Sequence, residues 1–147
     1  MSAIKIECVL RCSPKEAFAL WTDSEKLKKW WGDDNTYRTV EWTSDLVEGG
    51  TWSAVFEAPG GARFIASGEY QKVVDPDRLV WTWRPEWSPN TNSLIDMSFV
   101  EHREGTLFVL QNDDFADDAE CSQAKQTWSK ITEWLKTHLA QSDHDAR

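Results

Sequence analysis

The sequence predicts an α+β domain in which a curved antiparallel sheet of six to seven strands wraps round one long C-terminal helix. Three observations carry this expectation. Residues 4–10 alternate as a strand and are followed by two short helical stretches. Residues 38–110 hold a succession of alternating segments divided by turn residues. Residues 119–140 are one amphipathic stretch at helical spacing. A meander with one apolar face needs a cover, and only the last helix is long enough to provide it.

The elements follow in order. In "IKIECVL" (4–10), Ile4, Ile6 and Cys8 alternate with Lys5, Glu7 and Val9, as in a half-buried strand. Ser13-Pro14-Lys15-Glu16 starts a helix: Ser13 caps, Pro14 suits the first helical position, and Glu16 completes a capping box. Ala17, Phe18, Leu20 and Trp21 are its apolar face. Asp23 caps a second short helix carrying Leu27 and Trp30, which Gly32 stops. Strands are then expected at 38–43, 51–57 and 63–74, and around Leu79–Trp83, Ile95–Phe99 and Leu107–Leu110. Gly49-Gly50, Pro59-Gly60-Gly61, Asp75-Pro76-Asp77, the loop "RPEWSPNTNS" and Glu104-Gly105 separate them. In the final helix Ala124, Trp128, Ile131, Trp134, Leu135 and Leu139 recur at helical spacing over a length on the order of 30 Å. One domain is expected over 1–140, with 141–147 a polar, disordered tail.

The composition narrows the function. A net charge of −9 argues against nucleic acid and anionic membranes, because binding phosphates requires clustered Lys and Arg. Lys26, Lys28 and Lys29 read as a solvated helix face. Three cysteines, Cys8, Cys12 and Cys121, with no matching Cys/His pair, point to incidental thiols rather than zinc. No apolar run is long enough for a membrane helix and no signal pattern opens the chain, so a cytoplasmic location is expected. Ten tryptophans in 147 residues imply a deep core, a lined cavity, or both.

Several segments, in this order and spacing, resemble one family: "SPKEAFALWTD" (13–23), "LKKWWG" (27–32), "DLVEGGTWSAVF" (45–56), "GEYQKVVDPDRLVWTW" (68–83), "GTLFVLQNDDF" (105–115), and Trp128 with "LKTHL" (135–139). The chain looks like the Activator of Hsp90 ATPase homologue-type domains of the START-like (SRPBCC, Bet v 1-like) superfamily. The resemblance implies a helix-grip fold with a cavity between sheet and C-terminal helix. It also implies relatives that carry lipids, cyclise polyketides or stimulate Hsp90. Two places depart from the family's pattern. Asn112-Asp113-Asp114-Phe115 stands where a His and a Gly-Phe pair are common, and Thr127 replaces a glycine before Trp128. The second change sets the helix off from the sheet and alters cavity size.

Alternation places Trp52, Phe56, Phe64, Tyr70, Trp81, Trp83, Met97, Phe99 and Phe108 on the concave face, with Trp128 opposite. These rings form either a solid core or the wall of a pocket for a flat, apolar molecule. Asn112, and Glu41 near the sheet edge, are inward polar candidates. Asn112 would hydrogen-bond a ligand or cap the strand end. In "EKLKKWWGDD" Trp30 is expected as a core anchor, and Trp31 either reaches the cavity mouth or lies against a loop. Asp113, Asp114, Asp117, Asp118 and Glu120 lack calcium-loop spacing and read as acids at a helix start. His102, His138 and His144 form no ligand triplet, and no nucleophile or phosphate-loop motif occurs.

The expectation is thus non-catalytic binding of a small apolar or aromatic ligand, with no cofactor and no metal. Two alternatives stand beside it: a module modulating an Hsp90-like chaperone ATPase, although the chain lacks the extra N-terminal domain of the eukaryotic activators, and a cyclase- or hydrolase-like enzyme. A homodimer is compatible with all three.

Overall fold

A computed structural model describes residues 3–87, 92–113 and 118–145, with side chains as far as residue 141. The chain runs β1 (Ile4–Leu10), α1 (Pro14–Thr22), α2 (Ser24–Trp30), β2 (Gly32–Asp33), β3 (Tyr37–Ser44), β4 (Thr51–Glu57), β5 (Arg63–Val74), β6 (Arg78–Pro85), β7 (Ser93–His102), β8 (Gly105–Asp113) and α3 (Asp118–Asp145). All sheet neighbours are antiparallel, in the order β1-β8-β7-β6-β5-β4-β3-β2. The first strand closes against the last, and the rest form a meander. This is the α+β architecture expected from the element order.

The described strands number eight rather than six to seven. The addition is β2, a two-residue strand whose Gly32 and Asp33 pair with Arg38 and Tyr37. Two residues carry no alternation, and in the sequence Gly32 marks only the stop of a helix. It does more. With φ at 129°, Gly32 turns the chain out of α2 so tightly that a Cβ there would run into the Tyr37 carbonyl oxygen. At the other end of the chain, α3 continues to Asp145, past the expected limit at residue 140.

Local chemistry explains the helix starts. Ser13 Oγ accepts the Glu16 N–H at 3.2 Å, and Pro14 occupies the first turn. Asp23 ends α1 and caps α2 at once, its Oδ1 accepting the N–H groups of Glu25 and Lys26 at 2.9 and 3.4 Å. The two helices therefore meet at a single residue. That hinge carries Trp21, Trp30 and Trp31 into the same core, where Trp21 lies 4.7 Å from Trp30 and 5.7 Å from Trp31, centroid to centroid.

Candidate functional site

The concave face is built by strand alternation. Along β4 the burial alternates strictly, with Trp52, Ala54 and Phe56 inward. Ala66 and Tyr70 on β5, Trp81 and Trp83 on β6, Ile95, Met97 and Phe99 on β7, and Phe108, Leu110 and Asn112 on β8 continue the same surface. Trp128 descends on it from α3. Its ring is 5.3 Å from Trp83 and 6.2 Å from Trp81.

All twelve predicted site residues belong to this core or pack against it, and Phe64 is the only one of them left partly exposed. The rings do not merely line a wall; they touch. Trp52 stacks on Trp42 at 5.0 Å and meets Trp81 at 5.1 Å, while Phe56 meets Phe64 at 5.9 Å. Phe99 and Phe108 form a second group with Phe18 and join the first through Trp21, which stacks on Phe108 at 5.4 Å. Tyr70 enters as the cross-strand partner of Trp81, and Met97 as that of Leu79 and Leu110.

Trp31 is not at a mouth. It is 1 % exposed and sits within 6.1 Å of six rings, those of Trp21, Trp30, Trp42, Phe56, Trp83 and Trp128. The chain leaves the helical path at Trp31, the C-cap of α2, so its side chain turns toward the sheet instead of following Trp30 round the helix. Its Nε1–H donates to the Tyr37 hydroxyl at 3.1 Å. Glu41, read as inward, is exposed. A bulge in β3 between Thr39 and Glu41 breaks the alternation, so that Thr39 and Trp42 both face in. The same bulge hid Trp42, whose ring reaches Trp31, Trp52 and Trp81. Trp87, just beyond β6, is also part of the picture: half exposed, it lies against Phe64, Trp83 and Phe56 at 5.3, 6.3 and 6.5 Å.

Polar groups in this apolar face are few and follow two patterns. Some are tied. Trp52 Nε1–H donates to the Thr82 carbonyl at 3.0 Å across Gly68, where any Cβ would strike both the Thr82 oxygen and the Trp52 indole nitrogen. Asn112 is tied at both ends by the protein, its Nδ2 donating to Leu94 O at 2.9 Å and its Oδ1 accepting from Trp128 Nε1 at 3.1 Å. Others are not tied. Among the described residues, the Nε1–H groups of Trp21 and Trp81 are buried with no hydrogen-bond acceptor. The Ser44 hydroxyl and Trp42 N–H lie near Tyr70 without closing a well-formed bond, and burial raises the Tyr70 hydroxyl above its ordinary pKa.

At the edge of the face, burial pushes the Tyr37 hydroxyl up to about 12, the Trp31 N–H opposing and the Asp33 carboxylate adding to the rise. Desolvation would lift Asp33, but the hydrogen bonds from Trp134, Thr36 and Asn35 outweigh it and hold the carboxyl below its usual range. The Trp134 Nε1–H bond to Asp33 Oδ2, at 2.9 Å, pins α3 to β2.

Among the described residues no group of three His, Cys, Asp or Glu side chains is placed to hold a metal ion, and no helix is long and apolar enough to cross a membrane. Of the acidic stretch, Asp114 and Asp117 lie outside the described residues, as does Phe115.

The model of the family described as "Activator of Hsp90 ATPase homolog 1-like protein" matches residues 11–140. The chain belongs to that family. The fold agrees with solved relatives. An AHSA1-like protein from Aeromonas hydrophila superposes with a TM-score of 0.81 at 21% identity, covering 97% of this chain and 94% of that one. An AHSA1 protein from Silicibacter pomeroyi gives 0.79 at 21% identity, with 96% and 99% covered. A protein from Nitrosomonas europaea gives 0.80 at 21% identity, with 95% of each chain covered. At such identities the likeness is one of fold. Among curated proteins, none matches this chain.

Proposed function

We propose that the protein binds, without catalysis, a small flat apolar or aromatic molecule bearing hydrogen-bond acceptors, between the concave face of the sheet and α3. One observation carries this reading: among the described residues the buried indole donors of Trp21 and Trp81 have no acceptor, and the donors of Trp42 and Tyr70 only an ill-formed contact with each other and with Ser44, all within one continuous wall of rings. Protein interiors pair nearly all their buried polar groups, so several orphans in one cluster favour an acceptor brought from outside. Stacked and edge-on rings suit a planar guest. Because the rings touch, the guest enters by displacing some of them, and half-exposed Trp87, lying against Phe56, Phe64 and Trp83, is the entry point we assign. The fully buried polar side chains among the described residues are hydroxyls and one amide, a set suited to holding rather than transforming a ligand.

Native mass spectrometry of freshly purified protein, with tryptophan quenching by flavone as a planar ketone probe, tests this. The expected result is a co-purified mass or saturable quenching, with Trp87→Ala changing the binding rate but not the urea midpoint. Absence of both a bound mass and saturable quenching overturns the reading.

The family match supports a second reading, in which the domain contacts an Hsp90-like chaperone and alters its ATPase rate. A pull-down and ATPase assay with the chaperone of the same cell decides it, because no binding and no rate change removes it.

A further inference from the structure

We propose that the trough where α1, α2 and the C-terminal half of α3 meet is a second binding site, for a small amphiphile with an oxyanion headgroup. It lies outside the aromatic face and stands independently of the reading given to that face.

The trough is made of three adjoining clefts. The largest, about 400 Å³, is lined by Lys15, Ala19 and Leu20 of α1, Lys26 of α2, and His138 and Leu139 of α3. A neighbour of about 190 Å³ shares His138 and adds Lys29 and Arg38. A third of about 170 Å³ shares Leu139 and carries the apolar floor on to Val9 and Leu10, with Arg11 and Lys136 at its rim. The largest alone is in the size range of small-molecule sites. Its form is amphipathic: apolar Leu20, Leu139 and Leu10 together with cations contributed by three helices, by Arg38 of β3 and by Arg11 just after β1.

The charge of this lining opposes that of the whole molecule. The protein carries −9, yet among the described residues the carboxylates in the lining are Glu16 and Asp33. Both keep their charge, Glu16 accepting from Ser13 Oγ at 3.4 Å and Asp33 from Trp134, Asn35 and Thr36, but Arg11, Lys15, Lys26, Lys29, Arg38 and Lys136 outnumber them in the lining. Arg38 and Lys136 have carboxylate partners in Asp34 and Glu133, whereas among the described residues Lys15, Lys26 and Lys29 form no ion pair. Cations gathered in a concave, partly apolar site draw an anion in spite of an unfavourable net charge. A purely polar anion would leave the floor unused, and a neutral hydrocarbon would leave the cations unanswered.

His138 reports on the site from within. Burial lowers its pKa first, and the fields of Lys29 and Lys26 lower it further. The charged groups facing it across the trough are Lys15 and Glu16 of α1, Lys26 and Lys29 of α2, Asp33 of β2 and Arg38 of β3. An anion held among them opposes the lysine fields, so binding must raise the imidazole pKa. By linkage, the anion must bind more tightly as pH falls through that range.

The test uses the whole chain with decanoate, decyl phosphate, inorganic phosphate and decanol, followed by NMR of the His138 ring and of backbone amides. Decanoate or decyl phosphate is expected to shift resonances of α1, α2 and the end of α3, and to raise the His138 pKa. The better of the two identifies the headgroup as carboxylate or phosphate. Decanol and inorganic phosphate are expected to bind at least about tenfold more weakly. The Lys26→Glu/Lys29→Glu variant, or Lys26→Gln/Lys29→Gln if the first does not fold, is expected to lose about tenfold in affinity while keeping the wild-type urea midpoint. Equal binding of decanol, equal binding by a folded double variant, or shifts confined to the concave face overturn the proposal. Loss of flavone binding with the trough intact bears on the concave face alone.

Discussion

The indole Nε1–H of Trp128 donates to Asn112 Oδ1 at 3.1 Å, while the Nδ2 of the same amide donates to the Leu94 carbonyl at 2.9 Å. One side chain thus joins α3, β8 and β7, and it does so with no exposure to solvent. Asn112→Ala leaves the buried Trp128 N–H without its acceptor and removes the donor to the part-buried Leu94 carbonyl, at a cost of about 2–4 kcal/mol. Trp128→Phe keeps most of the ring but orphans one acceptor, at about 1–3 kcal/mol. Urea denaturation of both single variants and the double variant checks this. The double variant is expected to fall short of the sum of the singles, and strict additivity would mean that the bond is not shared.

Trp31 should behave as Trp30 does. Trp30 gives its indole N–H to the Leu20 carbonyl at 2.7 Å, and Trp31 gives its own to the Tyr37 hydroxyl. Each alanine variant removes a fully buried ring at about 3–5 kcal/mol. A Trp31→Ala protein whose urea midpoint matches wild type would show that the ring is peripheral.

Gly68 is needed for space rather than for a special backbone angle. A methyl group at this position meets the Thr82 carbonyl and the Trp52 indole nitrogen, which are themselves hydrogen-bonded at 3.0 Å. Gly68→Ala is therefore expected to destabilise by about 1–3 kcal/mol, the usual cost of overpacking. Thermal unfolding provides the measurement, with Gly49→Ala as a contrasting site whose strain comes from its positive φ of 85° in open space.

The tyrosines predict alkaline behaviour. Tyr37 is pushed up to about 12 and Tyr70 is raised in the same direction, both chiefly by burial. A folded pKa above the unfolded value of about 10 means that this contribution to stability is whole below that pH and is lost as pH climbs towards the folded value. Absorbance at 295 nm should show no free-tyrosine titration centred near pH 10 in the folded protein. Phenolate formation should instead coincide with loss of the near-ultraviolet dichroism of the packed tryptophans. A separate, earlier titration of Tyr37 would place its hydroxyl in solvent.

Much of this fold was legible because its signals are local. The Ser13 cap, the Asp23 cap of the second helix, the alternation of Trp52, Ala54 and Phe56, and the helical spacing of Trp128, Ile131 and Leu135 each follow from geometry within a few residues. Asn112 was correctly placed inward for the same reason. Where reading failed, a local irregularity had shifted the frame. The bulge at Thr39–Glu41 exchanged Glu41 for Trp42, and the two-residue β2 offered nothing to alternate.

The amino-acid sequence by itself determined the order of elements, the inward face of each regular strand and the apolar stripe of α3, since strand and helix periods are properties of neighbouring residues. It also carried the family, through the order of short motifs. The tertiary structure alone decided what those inward residues do to one another. Whether Asn112 meets a ligand or Trp128, whether Trp31 faces solvent or six rings, and whether Lys26 and Lys29 of one helix converge on His138 of another depend on contacts between segments far apart in the chain. Such contacts are set by how the sheet curls and the helices dock, and no local period encodes that geometry.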